Sequence, residues 1–175
     1  MDIKKADYGT IIKFGTLEDF MSKLELEAQN LGDIIDDLDA NGISLLQKAL
    51  ISRKFDIAIY LLNERANVNV ISKDGFNELH YLAANINFDG AIDLARVLID
   101  RGADLNQIDN KYGNPAILSI CLELLKRQTE EGIKFIEEVL SYQLNIDIIN
   151  KSGISVRKLL TERGTDSIKK IILEE

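Results

Sequence analysis

The chain repeats itself. Arg65-Ala-Asn-Val-Asn69 returns as Gly102-Ala-Asp-Leu-Asn106 and, more loosely, as Gln143-Leu-Asn-Ile-Asp147. Each copy is followed by a short polar stretch that holds a glycine: Gly75, Gly113 and Gly153. Gly42 lies 33 residues before Gly75, and the later glycine spacings are 38 and 40. A period of this length marks one supersecondary unit that cannot bury its apolar face alone, so the copies must stack and share a core. A content of 46% hydrophobic residues is enough for one continuous core in 175 residues. With one proline and no Ser/Pro-rich linker, nothing marks a second domain.

Every glycine is followed by a helix start. Ser44-Leu-Leu-Gln47 reads as a capping box, and Asn77-Glu-Leu-His80 as an Asn cap with an acid in the first turn. Asn114-Pro115 places a cap residue beside the only proline, at the first helical position. Apolar residues at three and four spacing follow in Leu46/Ala49/Leu50, Leu79/Leu82/Ala83 and Ile117/Ile120/Cys121/Leu124. A second helix is expected each time, over Ile57–Leu62, Ile92–Ile99 and Ile133–Leu140. Four more residues separate His80 from Gly102 than Gln47 from Arg65, and seven more separate Leu118 from Gln143. Repeats two and three should therefore carry longer helices or larger turns. At the start, 2–14 and 16–31 read as a degenerate helix pair turning at Gly15-Thr-Leu-Glu18. At the end, Asn150-Lys-Ser-Gly153 and Leu159-Leu160 open a last unit closed by Ile168, Ile171 and Ile172 among charged residues, as a terminal cap requires.

The stretches Asp39-Ala-Asn-Gly42-Ile-Ser-Leu-Leu-Gln47-Lys-Ala49 and Ser72-Lys-Asp-Gly75-Phe-Asn-Glu-Leu-His80, together with Gly102-Ala-Asp-Leu-Asn106, resemble the ankyrin-repeat pattern over nearly the whole chain. In the third repeat Asn114-Pro115 competes for the Thr-Pro slot, but a register one residue later puts Ile117, Ile120 and Cys121 on one face and is preferred. The resemblance implies an all-α solenoid of antiparallel helix pairs joined by β-hairpin-like loops. Its units would be an N-terminal capping pair (1–38), three repeats (39–71, 72–109, 110–149) and a C-terminal cap (150–175). It also implies that protein contacts come from the hairpin tips and the exposed face of each first helix. Those positions are Asn41, Ile43, Lys48 and Ser52; Lys73, Phe76, Tyr81 and Asn85; and Lys111, Tyr112, Ser119 and Glu123. Phe76, Tyr81 and Tyr112 are either binding anchors or ordinary packing between repeats.

No catalytic or cofactor motif stands out. Asp37-Leu-Asp39-Ala-Asn41-Gly42 matches the first half of a calcium loop, but Lys48 occupies the twelfth position, where a bidentate Glu is required. His80, the only histidine, falls where the family places a structural histidine that ties one repeat to the next. Cys121, the only cysteine, sits among Ile117, Ile120, Leu124 and Leu125 as a small buried hydrophobe. Zinc is thereby unexpected, and no metal or cofactor is expected at all. Asn150-Lys-Ser152 spells a glycosylation sequon without a secretory signal to give it meaning.

Charge narrows the partners. A net charge of -8 opposes binding to a phosphate backbone, so nucleic acid is not expected, and no apolar run long enough to span a membrane occurs. From Glu18 to Asp39, eight acids (Glu18, Asp19, Glu25, Glu27, Asp33, Asp36, Asp37, Asp39) face one base, Lys23. The stretch is either a solvated cap or a docking patch for a basic partner. The expected function is therefore protein binding without catalysis by a cytoplasmic chain that is monomeric on its own. An inhibitor or immunity protein directed at a toxin is the favoured role, and a scaffold or secreted effector that redirects a host protein is the alternative.

Overall fold

The computed structural model describes residues 1–142 and 144–174; Gln143, which begins the loosest copy of the repeated motif, and Glu175 lie outside them. Among the described residues there are ten α-helices: α1 (Tyr8–Phe14), α2 (Leu17–Leu26), α3 (Leu45–Ile51), α4 (Phe55–Asn63), α5 (Glu78–Ala83), α6 (Ala91–Asp100), α7 (Ala116–Arg127), α8 (Glu130–Leu140), α9 (Val156–Arg163) and α10 (Asp166–Glu174). Successive helices pair, and the first members of the pairs touch in series, α1 to α3 to α5 to α7 to α9. Between the pairs run hairpin loops with only isolated bridges, Leu38 to Ser44 and Ile108 to Pro115. The fold is the expected all-α stack. Its core runs unbroken from Ile11 and Phe20 through Leu46, Leu61, Leu79, Leu98, Ile117 and Phe135 to Leu160 and Ile172.

The helix ends follow local chemistry. Ser44 with Gln47 and Asn77 with His80 form reciprocal capping boxes, and Thr16 with Asp19 forms a third. Pro115 itself occupies the N-cap of α7, so the later register holds and Asn114 is not the cap. The N-terminal helices are shorter than 2–14 and 16–31. Asp7 starts α1 by accepting the Thr10 N–H at 2.6 Å, and Ala28, at φ +47°, turns the chain soon after α2. The two insertions are absorbed differently. Repeat two keeps a six-residue α5 and enlarges the turn over 84–90, whereas repeat three lengthens α7 to twelve residues.

The hairpins share one hydrogen-bond plan. Asp39 N–H donates to the Ile43 carbonyl, Ser72 to Phe76, Asp109 to Asn114 and Asn150 to Ile154. The third loop is one residue longer. In each, the side chain of the first residue accepts N–H groups from the loop that follows. Neighbouring hairpins are then joined backbone to backbone: Lys73 N–H to the Asn41 carbonyl (3.0 Å), Asn110 to Asp74 (2.7 Å) and Lys151 to Tyr112 (3.0 Å). Behind them Asn69 accepts the Asp104 N–H (2.7 Å) and donates to the Gly102 carbonyl (2.5 Å), tying two copies of the repeated motif together.

Buried polar side chains complete the joints. Glu78 accepts N–H groups of Asn69 (2.8 Å) and Val70 (3.2 Å) and the Gln47 amide (3.1 Å). Burial pushes its carboxyl up, while these donors pull it down. The His80 ring reaches Asn77 on one side and the Asn114 carbonyl on the other, the latter at 3.1 Å. It is thus the inter-repeat tie that the resemblance implied. Burial holds this imidazole below its usual 6.5, against the opposing pull of the Asn114 carbonyl and the Asp109 charge.

Two stability tests follow from this construction. Gly75 and Gly102 both have positive φ, +80° and +91°. A Cβ on Gly102 would meet nothing within 4 Å, whereas on Gly75 it would lie 2.7 Å from the Asn110 nitrogen. Gly102→Val should therefore destabilise by about 1–2 kcal/mol through backbone strain alone. Gly75→Ala should cost more, because a clash of about 1–3 kcal/mol is added; urea unfolding of both variants gives the comparison. The second test uses pH. Since the His80 pKa is lower in the folded chain, the unfolded chain takes up a proton first, and stability present above pH 6.5 is lost as pH falls through the folded value. Glu78, pushed up from 4.5, has the opposite sign and loses stability as pH rises above that value. Gln47 fills the matching capping position one repeat earlier, so His80→Gln should fold and should flatten the fall in Tm between about pH 7.5 and about pH 5.5. Parallel Tm profiles for the two proteins would contradict this.

Candidate functional site

The first helices and their hairpins leave a groove on one side of the stack. It holds a hollow of about 410 Å³, walled by Phe76, Tyr81 and Asn85 from repeat two and by Tyr112, Ser119 and Glu123 from repeat three. Ile51, His80, Ala83, Ala84, Asn114 and Leu122 complete it. The alternation within α5 explains the wall: His80 and Leu82 turn into the core, and Tyr81 between them is left half-buried and facing out. Phe76 meets the Tyr81 ring edge-on at 5.5 Å and lies 5.3 Å from the His80 ring. Burial raises the Tyr81 hydroxyl pKa, so it stays protonated and able to donate.

Ile51 is also a wall of a second depression of about 410 Å³, lined by Asp7, Thr10, Lys13 and Phe14 near or on α1 and by Lys48 and Ser52 of repeat one. The two depressions together bring in eight of the twelve residues singled out from sequence. Asn41, Ile43, Lys73 and Lys111 line neither. Several of the eight also have internal duties. The Asn85 amide donates to the carbonyls of Leu50 (2.9 Å) and Ile51 (3.2 Å), closing the end of α3. Lys48 pairs with Asp39 at 3.2 Å, and Glu123 with Lys126 at 2.5 Å.

The hairpin plan corrects one assignment. The residue equivalent to Ile43 and Phe76 in the third repeat is Asn114, because it is the carbonyl of Asn114 that Asp109 bonds. Tyr112 belongs to the lengthened tip, where it stands 51% exposed with the Lys111 ammonium 4.9 Å from its ring centre. Sequence reasoning missed Ile51, Ala84 and Leu122. They occupy the same place in successive repeats, one residue before Ser52, Asn85 and Glu123, so the repeat itself carried the signal. It also missed the α1 contribution, because the degenerate first pair has no motif to align.

The arrangement offers contact surface and hydrogen bonds. Both His80 nitrogens are engaged, and Cys121 is fully buried with its thiol pushed up to about 12, far from a nucleophilic thiolate. Asp39, in the loop that resembles half a calcium site, gives its oxygens to the N–H groups of Asn41 and Ile43 and to Lys48. Among the described residues no group of three or more His, Cys, Asp or Glu is placed to hold a metal ion. The sequon Asn150 spends its amide on Asn114 at 2.7 Å. Of the eight acids near the N-terminus, Asp19 caps α2, Glu27 pairs with Lys23, Asp36 accepts the Asn67 N–H, and Asp39 closes a hairpin. Glu18, Glu25, Asp33 and Asp37 are exposed. No described helix is long and apolar enough to cross a membrane.

Comparison with known proteins agrees with this architecture. The family described as ankyrin repeats, in three copies, matches residues 12–109, more than half of the chain. An ankyrin repeat protein of Rickettsia bellii (strain RML369-C) is 29% identical over 153 residues, which make up 85% of this chain and 41% of that protein. The ankyrin repeat and KH domain-containing protein mask of Drosophila melanogaster is 29% identical over 118 residues, 67% of this chain and 3% of that protein. The chain thus spans less than half the length of either relative. With a matching family over the repeats, a shared hairpin plan and an unbroken helical stack, the chain belongs to the ankyrin-repeat family, whose repeats are protein-binding modules.

Proposed function

We propose that the groove between Tyr81 and Tyr112 grips an apolar anchor of a partner protein, and that the chain acts by occupying that partner rather than by transforming it. The observation that carries this reading is the pairing of two tyrosines and a phenylalanine around an open, largely apolar groove, with His80 at its floor. Aromatic side chains that are only part-buried offer large contact areas at small entropic cost, which is why they recur as anchors. Asp39, Asp74 and Glu78 all bias the field at Tyr81 toward negative, so a partner carrying basic residues beside its apolar anchor fits best. The proposed units are the two capping segments (1–38 and 150–175) flanking the repeats 39–71, 72–109 and 110–149. Within this reading a cytoplasmic inhibitor or immunity protein is favoured, because capture without chemistry is all that such a role demands. A scaffold or effector makes the same contacts, and an adjacent toxin gene in the source genome would separate the two.

The direct test is affinity capture of the partner from the source organism, followed by calorimetry with purified components. Tyr81→Ala and Tyr112→Ala should each weaken binding by about 1–3 kcal/mol without loss of helix content. Full affinity in both variants would move the interface off the groove. Replacing Asp33, Asp36 and Asp37 by Asn should slow association and flatten its salt dependence while leaving dissociation nearly unchanged, since exposed charge acts mainly on encounter. Asn at Asp36 keeps an acceptor for the Asn67 N–H, so the fold is spared. Association indifferent to both charge and salt would leave the acidic stretch as a solvated cap.

A further inference from the structure

The residue just before the first residue of each hairpin is a large apolar side chain in all four loops: Leu38, Ile71, Ile108 and Ile149. They are 53%, 44%, 44% and 69% exposed. Their equivalence rests on the shared bond plan, since each precedes the residue whose N–H closes its loop: Asp39, Ser72, Asp109 and Asn150. Scattered exposed apolar residues are ordinary on any protein. Four at one structural position form a ladder. Neighbouring hairpins are hydrogen-bonded to one another, so the rungs follow the repeat period along the stack.

We infer that this ladder is the contact by which two copies of the chain associate, side by side and antiparallel. Two arguments name a second copy as the occupant. A ladder of this period is matched rung for rung by itself, with Leu38 against Ile149 and Ile71 against Ile108 across a twofold axis, the self-complementary geometry of an isologous dimer. The charges beside the rungs also run from acidic to basic along the ladder. Asp36 and Asp37 flank the first rung, and Lys73 and Asp74 cancel beside the second. Lys111 stands by the third, over the Tyr112 ring, and Lys151 by the fourth, its ammonium also donating to the Asn110 carbonyl; all of these charged residues are exposed. Asp147, near the fourth rung, is already paired with Arg157 at 2.7 Å. An antiparallel pair sets Asp37 against the other copy's Lys151 and Asp74 against its Lys111, whereas a parallel pair sets acid on acid. Four half-exposed side chains bury less than the roughly 1,200 Å² of a standard interface, and a net charge of -8 on each copy opposes approach. The dimer is therefore weak and reversible, and it forms at high chain concentration.

The test exploits the buried, unreactive Cys121, which leaves the wild-type chain without a thiol for cross-linking. Ile71→Cys and Ile108→Cys are each treated with a short bismaleimide, alone and as an equimolar mixture, at physiological salt. The mixture should give several-fold more covalent dimer than either variant alone. No excess in the mixture, or equal linking of Ile71→Cys with itself, overturns the antiparallel ladder. Sedimentation equilibrium of the unmodified chain should show a mass rising toward twice the monomer with concentration, and Ile71→Lys/Ile108→Lys should abolish the rise with its helical spectrum intact. Asp37→Lys should weaken association, and Asp37→Lys/Lys151→Glu should restore it. A wild-type chain that stays monomeric up to millimolar concentration, or a double charge swap without recovery, refutes the inference.

Discussion

Everything in this structure depends on how closely one hairpin can approach the next. The bond from Asn110 N–H to the Asp74 carbonyl, at 2.7 Å, sits where a side chain on Gly75 would have to be. Because Gly75 has none and adopts φ +80°, the two backbones meet directly. That meeting sets the position of repeat three relative to repeat two, and with it the contact between α5 and α7. The groove is a consequence: its two tyrosines come from repeats that only this joint brings side by side.

The polar groups buried along the stack work in the same direction. A helix pair alone would present Gln47, Glu78 and His80 to water; in the stack each is satisfied by a neighbouring repeat or by the linker that leads into the next. An unpaired buried polar group costs about 1–3 kcal/mol, so these bonds specify the register of one repeat on another more than they add net stability. Several long side chains at the other end of the units do similar work. Lys54 donates to the Gly15 carbonyl at 2.6 Å and Arg101 to the Leu62 carbonyl at 2.6 Å, each closing a helix end in the preceding pair. The same burial disfavours the charged form of His80 at the groove floor.

The two stretched repeats show how a fixed joint tolerates variable length. The hairpin edge is held by bonds every repeat must make, so the extra residues of repeats two and three are placed toward the opposite edge. There the turn over 84–90 and the longer α7 find room, and Asn87 anchors one to the other by donating to the Glu123 carbonyl at 2.9 Å. The single exception is the third hairpin, lengthened by one residue at its tip. That insertion carries Tyr112 outward beside the groove without disturbing the Asp109 and Asn114 pair beneath it.

Most of the architecture was legible in the residues themselves. The glycine period, the Ser44/Gln47 and Asn77/His80 caps and the three-and-four apolar spacing place the helices to within three residues in the three repeats, because capping and amphipathic burial are local. His80 ties repeat two to repeat three through the Asn114 carbonyl, as the resemblance implied, and Cys121 is the buried hydrophobe that its apolar neighbours in the sequence predict. What only the tertiary structure decided is which exposed residues share a surface. Asn85 and Lys48 read as free contacts yet are drawn into bonds with other elements. Asn114, not Tyr112, is the third hairpin's structural equivalent of Ile43 and Phe76, and α1 supplies part of the second depression. Spacing along a helix determines which way a side chain points. What stands opposite it is set by joints between residues more than 30 positions apart, such as Lys73 to Asn41 and Lys151 to Tyr112, whose distances no local pattern encodes.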